Sequence, residues 1–333
     1  MSNARKLADN LPSVGQLSGR NMVINSAMDV AQRTTSAVTT NNSFAVDRWK
    51  NISNASDFSA VQSQTVPSGQ GFYNSIHITP TSTKSPSGST YFFVSHYVEG
   101  FNIARLNWGT SGAKTVTLSF WVRSSKTGIY SVGFKNANAQ RSRQEEYTIS
   151  AADTWEKKTI TVTGETSGSW PIDNSRGLAL DFCLAGEGSQ TSTIGSWISS
   201  NSNMSSNQVN FFDNTSNNFY LTGVQLEVGS QASPFEHEDY ASILTKCQRY
   251  FHKELYPTGP GPFSMNYVDS HRFFHLYHPT TMRTTPTSTV TYGGGVTATE
   301  YHSTENHWKA YLAASYNSTS QHYLTTYQAD AEL

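Results

Sequence analysis

The segment 219–251 constrains the fold more than any other part of this chain. Val224, Leu226 and Val228 alternate with small or polar residues, which predicts a half-buried β-strand. Gly229 ends the strand, and Pro234 favours extended geometry in the residue before it. Apolar residues then recur at helical spacing; they are Ile243, Leu244, Cys247, Tyr250 and Phe251. The chain must therefore accommodate a strand, an extended corner and a short helix in succession.

Most of the chain before this segment carries the pattern of β-strands. Val116, Leu118, Phe120 and Val122 share one face of an alternating run. Comparable runs occupy 129–134, 158–163 and 177–182, and short turns rich in Gly, Pro and Ser separate them. Only 14% of the residues are charged, while 17 Tyr, 17 Phe and 7 Trp are enough for a packed β core. These features predict an all-β fold, an antiparallel β-sandwich.

The stretch from 264 to 333 has a different character, because Tyr, His and Thr dominate it. Strand patterns are present at 272–277 and 287–292, but Leu, Ile and Val are scarce. A domain with so few aliphatic residues is hard to stabilise alone. We therefore expect it to gain burial from the sandwich domain or from further copies of itself.

Several motifs together carry a resemblance to a known group of proteins. Residues 223–230 read GVQLEVGS, and SPFEH and CQRYF follow at 233–237 and 247–251. This arrangement resembles that of bacteriophage virion proteins of the tail-fibre type. Matching motifs elsewhere are NMVIN at 21–25 with QR at 32–33, AVDRW at 45–49, LSFWVR at 118–123, MRTTP at 282–286 and DAEL at 330–333. Ala31 stands where an aromatic residue is usual, and the resemblance covers most of the chain from about Asn21 onward.

The resemblance implies a jelly-roll-like sandwich, then a short α-helix and a small β-rich C-terminal domain. The corresponding parts are an N-terminal virion-anchoring arm at 1–20, the sandwich at 21–238, a linking helix at 239–255 and the C-terminal domain at 256–333. It also implies a non-enzymatic tail fibre, displayed on the virion surface at the phage tail and assembled in the host cytoplasm. Such proteins are usually homotrimers, and the sandwich or the C-terminal domain would present loops to host-surface glycans.

The arm has little hydrophobic content, and on its own it has the composition of a disordered segment. Ala4, Leu7, Ala8 and Leu11 nevertheless recur at helical spacing, which favours a turn or two of helix on docking. Both interpretations stay open. Arg5, Leu7 and Leu11 are the candidate residues for docking on other virion proteins of the tail or of a collar or adaptor.

Composition argues against several other classes of partner. The net charge of −1 implies no basic patch, so we expect no nucleic-acid partner. No apolar run is long enough to span a bilayer, and the N-terminus lacks the apolar core of a signal peptide. Cys183 and Cys247 are expected to be small buried hydrophobes, and no Cys/His spacing predicts a metal site. We expect neither a metal nor another cofactor.

Three tryptophans lie in polar stretches that read as loops. Exposed indoles can stack on sugar rings, so Trp170, Trp197 and Trp308 are the candidate glycan-contacting residues. Burial in a core or an interface is an equally open interpretation for each. The tryptophans within or beside strand patterns are expected in the core; they are Trp49, Trp121 and Trp155.

Acidic and histidine residues give weaker hypotheses. Glu236, Glu238 and Asp239 precede the predicted helix, where carboxylates stabilise its N-terminus. A jelly-roll Ca²⁺ site would find candidate ligands in Asp47 or Glu227, although no spacing argues for one.

A strand over 272–277 places His278 on the opposite face from His271 and His275. A metal held between three chains is the alternative role for these histidines.

Three alternatives to the tail fibre remain at this stage. A head fibre or capsid-decorating protein would have the same fold at another position on the particle. A polysaccharide depolymerase would need two facing carboxylates across a cleft. A cellular carbohydrate-binding module would share the sandwich.

Overall fold

The computed structural model describes residues 19–54, 57–87, 90–138, 140–187, 190–255, 266–268, 271–293, 299–312 and 323–333. The chain divides into two compact units, one ending at Tyr240 and one beginning at Ala241. The candidate docking residues Arg5, Leu7 and Leu11 lie outside the described residues, so their role stays a prediction.

The first unit is built almost entirely from β-strands. They are β1 (Ser43–Val46), β2 (Trp49–Ser53), β3 (Phe58–Ser63), β4 (Ser75–Pro80), β5 (Tyr91–Glu99), β6 (Val116–Ser124), β7 (Gly128–Asn136), β8 (Ser142–Ile149), β9 (Glu156–Val162), β10 (Arg176–Gly186), β11 (Thr191–Ser192), β12 (Met204–Ser205) and β13 (Phe219–Val228). A short helix α1 (Gly100–Ile103) and 3₁₀ turns that include Ala104–Leu106 and Phe211–Asp213 interrupt them.

Two antiparallel sheets form the sandwich. The six-stranded sheet has the order β1-β2-β5-β10-β7-β8, and the five-stranded sheet has the order β3-β4-β13-β6-β9. The inward residues of both sheets pack into one hydrophobic cluster that includes Trp49, Phe120, Phe182 and Phe219. Full burial of one such side chain stabilises the fold by about 1.5–3 kcal/mol. The predicted all-β sandwich and its alternating strands are confirmed.

Residues of the N-terminal motif tie the first described segment to strand β13. Asn21 donates to the carbonyl of Val224 and accepts from the amide of Leu226, at 3.1 Å each. Asn25 adopts a left-handed conformation and accepts from Val30 at 3.0 Å, while the Trp49 indole donates to the Asn25 carbonyl at 2.9 Å. These motif side chains hold the fold together.

The boundary of the predicted arm needs a correction at its C-terminal end. Arg105 donates to the carbonyls of Gly19 and Arg20 at 2.7 and 3.2 Å, and Arg20 donates to Pro234 at 2.7 Å. Residues 19 and 20 therefore belong to the sandwich and not to the arm.

The segment 190–210 crosses the outer face of the six-stranded sheet. β11 and β12 pair in parallel within it, and the amide of Ser205 donates to the Ser131 hydroxyl of β7 at 3.2 Å. Met204 is buried against Phe93 and Cys183, which point outward from β5 and β10. This part of the outer face is therefore covered by protein.

The second unit starts with helix α2 (Tyr240–Gln248) and continues as strands. Its strands are β14 (Phe251–Leu255), β15 (Asn266–Val268), β16 (His271–Tyr277), β17 (Thr287–Gly293), β18 (Thr299–Ser303), β19 (His307–Leu312) and β20 (Tyr323–Asp330). They form a three-stranded sheet β14-β20-β17 and a four-stranded sheet β15-β16-β19-β18.

The predicted linking helix at 239–255 is wrong in its second half. The helix ends at Gln248, because residues Phe251–Leu255 pair with strand β20 instead of continuing the helix. The amide of Ala331 donates to the carbonyl of Tyr250 at 2.8 Å, which fixes the start of that pairing.

The described core of the second unit is small. Its buried cluster contains Leu276, Met282, Trp308, Ala310, Tyr327, Ala329 and Ala331. His278 lies beside this cluster with its Nε2 2.7 Å from the Tyr327 hydroxyl. The scarcity of aliphatic side chains that the sequence indicates is thus present in the described core.

Two further expectations concern cysteine and membranes. Cys183 and Cys247 are both buried, as predicted. Among the described helices, none has the length and apolar character that crossing a membrane requires.

Candidate functional site

Two of the predicted glycan-contacting tryptophans are buried. Trp170 is 8% exposed and Trp308 1% exposed, so neither indole face is open to a sugar. Trp308 lies on β19 rather than in a loop, and its side chain packs against Tyr327 at 5.4 Å between ring centroids. The prediction that these two tryptophans are exposed is therefore wrong, because each side chain belongs to a hydrophobic core.

Trp197 is half-buried, and it belongs to a cluster of three indoles at the edge of the sandwich core. Its ring centroid lies 5.3 Å from that of Trp108 and 5.7 Å from that of Trp170, in edge-to-face geometry. Its N–H donates to the Thr163 carbonyl at 2.9 Å. Packing explains these contacts, and any contact with glycan stays a prediction for Trp197.

The carboxylates assigned to helix capping or calcium have structural partners. Glu236 accepts from the amide of Asn21 at 2.9 Å, so it holds the N-terminal segment and not the helix. Asp47 accepts from Gln32 and pairs with Arg33 at 3.4 Å.

The other calcium candidate, Glu227, accepts from the amide and hydroxyl of Ser233 at 2.8 and 2.6 Å. Within the described part of the chain, no group of three or more His, Cys, Asp or Glu side chains is placed to hold a metal.

The predicted orientation of the histidines is confirmed where side chains are described. His275 is exposed and His278 buried, so the two lie on opposite faces of the strand. Burial lowers the pKa of His278, and the Glu305 carbonyl 3.1 Å from Nδ1 opposes that effect.

The outer face of the five-stranded sheet carries an aromatic surface that we call the Tyr220 platform. It consists of His77, Trp121, Arg123, Trp155 and Tyr220, all of them half-buried. Tyr220 on β13 pairs in register with His77 on β4 and with Arg123 on β6, so the three side chains form a row. Each lies next to an inward-facing residue of its strand, which places the row on the solvent side.

Stacking fixes the centre of the Tyr220 platform. The His77 and Tyr220 rings are parallel within 4° and 4.2 Å apart, and the Arg123 guanidinium lies 5.4 Å from the Tyr220 centroid. Because β4 and β6 flank β13, these neighbours cover opposite faces of the Tyr220 ring. Its edge and hydroxyl are left as the parts that a ligand would touch, and the Trp155 indole lies 6.1 Å away.

Polar groups border the platform. The Asn218 Oδ1 lies 2.8 Å from His77 Nε2, and Arg123 reaches Asp153 at 3.4 Å. The Nε–H of Arg123 and the indole N–H of Trp155 are shielded from solvent and have no acceptor among the described residues. Two donors with no acceptor in the described part of the chain therefore adjoin the aromatic row.

The platform histidine is held in its neutral form near neutral pH. Burial lowers the pKa of His77 from 6.5, the hydrogen bond to Asn218 opposes this, and the positive charge of Arg123 lowers it further. A neutral ring stacks on Tyr220 without adding a second cation beside Arg123.

The prediction that Trp121 and Trp155 lie in the core is wrong, because both side chains are half-buried. The alternation of Leu118, Phe120 and Val122 toward the core places Trp121 on the outer face, so the signal was present in the pattern. Trp49 is fully buried, as expected.

A second aromatic surface lies on the outer face of the six-stranded sheet. It consists of the Phe44 and Tyr97 rings, and we call it the Phe44 row. Arg33 lies 4.3 Å from the Phe44 centroid, Lys50 is 5.8 Å from that of Tyr97, and Arg176 is 4.7 Å from Tyr97. The rings of this row are thus engaged by cations of the same chain.

No family model and no curated protein matches the sequence significantly. Solved structures with some similarity include the enzymatically active domain of tailspike protein 4 of bacteriophage CBA120, at 11% identity and a TM-score of 0.35, covering 63% of this chain and 22% of that one. A putative sugar binding protein from Bacteroides thetaiotaomicron aligns at 14% identity and a TM-score of 0.36, over 63% and 100% of the two chains.

A family 11 carbohydrate-binding module of a Clostridium thermocellum cellulase aligns at 14% identity and a TM-score of 0.27, over 62% and 99%. Of the tailspike structure, by contrast, this chain spans less than a quarter. These scores and identities are too low to support a functional conclusion.

Proposed function

We propose that this protein is a non-enzymatic phage virion protein, a tail fibre whose sandwich recognises glycans on the host surface. The Tyr220 platform is the observation that carries the binding part of this proposal. The virion part is supported by the sequence motifs that resemble those of tail-fibre proteins.

The platform has the chemistry that sugars require. A sugar ring presents apolar C–H faces and a rim of hydroxyls, so its binding sites combine aromatic side chains with a few placed polar groups. Trp121 and Trp155 are half-buried indoles on the same sheet face as Tyr220. Arg123, Asn218 and Asp153 border them and offer hydrogen-bond donors and acceptors.

The contacts of the buried carboxylates favour binding over hydrolysis. Glu165 accepts from Arg141 at 2.6 Å, and Asp181 accepts from Ser95 and pairs with Lys135. A glycosidase acid and its partner must face a bound sugar across a cleft. Asp181 and Glu165 are instead engaged by neighbouring side chains within the sandwich.

The binding proposal is tested by screening the full-length chain on an array of bacterial surface glycans. The strongest oligosaccharide is then titrated calorimetrically against the wild type, Tyr220→Ala and Trp121→Ala. We expect each substitution to weaken affinity about tenfold, equivalent to about 1.4 kcal/mol.

Phe44→Ala is the matched control, since it removes a half-buried aromatic side chain from the outer face of the other sheet. It should leave the affinity unchanged. Loss of binding in Phe44→Ala with none in Tyr220→Ala would move the site to the Phe44 row. Absence of any glycan binding by the wild type would contradict the recognition role.

The virion part is tested by cryo-electron microscopy of the particle that carries this chain. Density radiating from the tail, with the N-terminus inward, is the expected result. Density over the capsid would instead identify a head fibre or decorating protein.

A further inference from the structure

Three reactive side chains meet beneath the segment 190–210, away from the Tyr220 platform. Lys135 lies on β7, Asp181 on the neighbouring β10, and Asn203 just before β12. Their exposed fractions are 8%, 0% and 4%, so all three are buried. An amine, a carboxylate and a carboxamide thus share one buried site on the outer face of the six-stranded sheet.

The amine of Lys135 touches both partners. Its Nζ lies 2.5 Å from Asp181 Oδ2 and contacts Asn203 Oδ1 directly. The Asn203 side-chain carbon is one bond, about 1.2 Å, beyond that oxygen. The lysine nitrogen is therefore placed next to a carbon that a nucleophile can attack.

Asp181 is placed to take a proton from the lysine. The Ser95 hydroxyl donates to Asp181 Oδ1, which fixes the carboxylate, while Oδ2 faces the Lys135 amine. An amine is nucleophilic only after it has lost its extra proton. The basic group that contacts the amine is the Asp181 carboxylate, whose oxygen lies 2.5 Å from Nζ.

An aromatic ring and an apolar cluster border the pair. The Phe93 ring centroid is 5.1 Å from Lys135 Nζ, and Phe93 packs with Cys183 and Met204 in an apolar cluster.

The carboxamide is held still for attack. Asn203 Nδ2 donates to the Gln190 side chain, and the Asn203 amide donates to the Gln190 carbonyl at 2.9 Å. The Cys183 thiol donates to the Asn203 carbonyl at 2.6 Å. Reactants that are held next to each other avoid part of the entropic cost of reaction.

We propose that Lys135 and Asn203 join in an intramolecular isopeptide bond, with Asp181 transferring the protons. The ammonium of Lys135 gives a proton to Asp181, and the freed Nζ forms a bond to the Asn203 side-chain carbon. The carbon–nitrogen bond to Nδ2 then breaks as Asp181 and the attacking nitrogen supply protons to it. Nδ2 leaves as ammonium, Asp181 returns to its carboxylate form, and neither an oxidant nor a cofactor is consumed.

The bond would fasten the segment 190–210 to the sheet it covers. The bond would join two positions that are 68 residues apart in the sequence. A cross-link of this kind stabilises a fold chiefly by restricting the unfolded chain. It would do so without the oxidising conditions that disulfides need.

Intact-mass spectrometry of the purified, folded full-length protein tests this directly. The expected mass is below that of the sequence by one ammonia, and proteolysis should yield a branched peptide that joins Lys135 to Asn203. Asp181→Asn and Lys135→Arg, which keep size or charge, should restore the full mass. Lys50→Arg on β2 of the same sheet is the control that should retain the loss.

A wild-type mass equal to the sequence would overturn the proposal. A loss of ammonia that persists in Lys135→Arg would also overturn it, because it would indicate cyclisation of an asparagine elsewhere. A loss of water in place of ammonia would assign the bond to Asp181 and would contradict the stated chemistry.

Discussion

The cores of the two units of this chain consist of different types of side chain. The sandwich packs aliphatic and aromatic side chains from two large sheets, with Phe58, Phe120 and Phe182 fully buried. The described core of the second unit depends on Trp308 and Tyr327, with alanines filling the space between strands. A large core tolerates loss of one side chain, whereas a small one depends on each member.

The difference indicates how the units divide their tasks. The sandwich can devote an outer sheet face to aromatic side chains because its interior already supplies enough burial. The second unit has little apolar surface to spare in its described core. We therefore expect it to gain stability from copies of itself in a homotrimer.

Removal of the second unit should have the largest effect on assembly. A chain that ends at Asp239 is expected to sediment as a monomer that retains the β-rich circular dichroism of the sandwich. The full-length chain should sediment as a trimer under the same conditions. If the truncated chain is also a trimer, the sandwich itself holds the copies together.

Trp308→Ala should abolish the second unit's folding transition. Truncation of a buried tryptophan costs about 3–5 kcal/mol, comparable to the whole stability expected of so small a core. In a calorimetric scan, the sandwich transition should keep its midpoint. Phe120→Ala is the matched change in the sandwich, where the transition should shift downward but persist.

Acid should weaken the sandwich through His96. This ring is fully buried, and burial lowers its pKa well below 6.5, with the positive charge of Arg48 adding to the effect. Its Nε2 accepts from the amide of Ile24 at 3.3 Å, which requires that nitrogen to be unprotonated.

The folded state thus binds fewer protons than the unfolded state, so stability is full above about pH 7 and falls as the pH drops below about 6.5. The loss from this group is at most about 1.4 kcal/mol per pH unit. Urea unfolding of His96→Gln from pH 7 to 5 should show a shallower decline. An unchanged slope would exclude His96 as the source.

Tyr220→Ala should have the smallest effect on stability, because the side chain lies outside the core. A change below about 1 kcal/mol in urea unfolding is expected, together with the loss of glycan affinity. A much larger destabilisation would mean that the Tyr220 platform is a structural element and not a spare binding surface.

Much of the sandwich could be predicted from the alternation of apolar and polar residues and from the turns between strands. The sequence of a strand alone is enough to indicate which of its faces is apolar. The motif residues Asn21 and Asn25 proved to be fold-holding groups, so they identify an architecture but no ligand. The reversal at Phe251 was missed because helical spacing continues past Gln248, while the competing partner, β20, lies near the end of the chain.

The site was harder to predict, since it depends on register between distant strands. His77, Arg123 and Tyr220 come from three strands, and only their pairing brings them into a row. The burial of Trp308 was not predicted for a related reason. Its polar neighbours are typical of a loop, yet β19 begins at His307 and the indole faces inward. The meeting of Lys135, Asp181 and Asn203 has no signal in the local sequence either.

The most direct test of the account is a crystal structure of the full-length protein with the oligosaccharide that binds most strongly in the array. We predict sugar density against Trp121, Trp155 and the edge of Tyr220 on the five-stranded sheet. Density on the second unit, or on the Phe44 row, with an empty Tyr220 platform would contradict it.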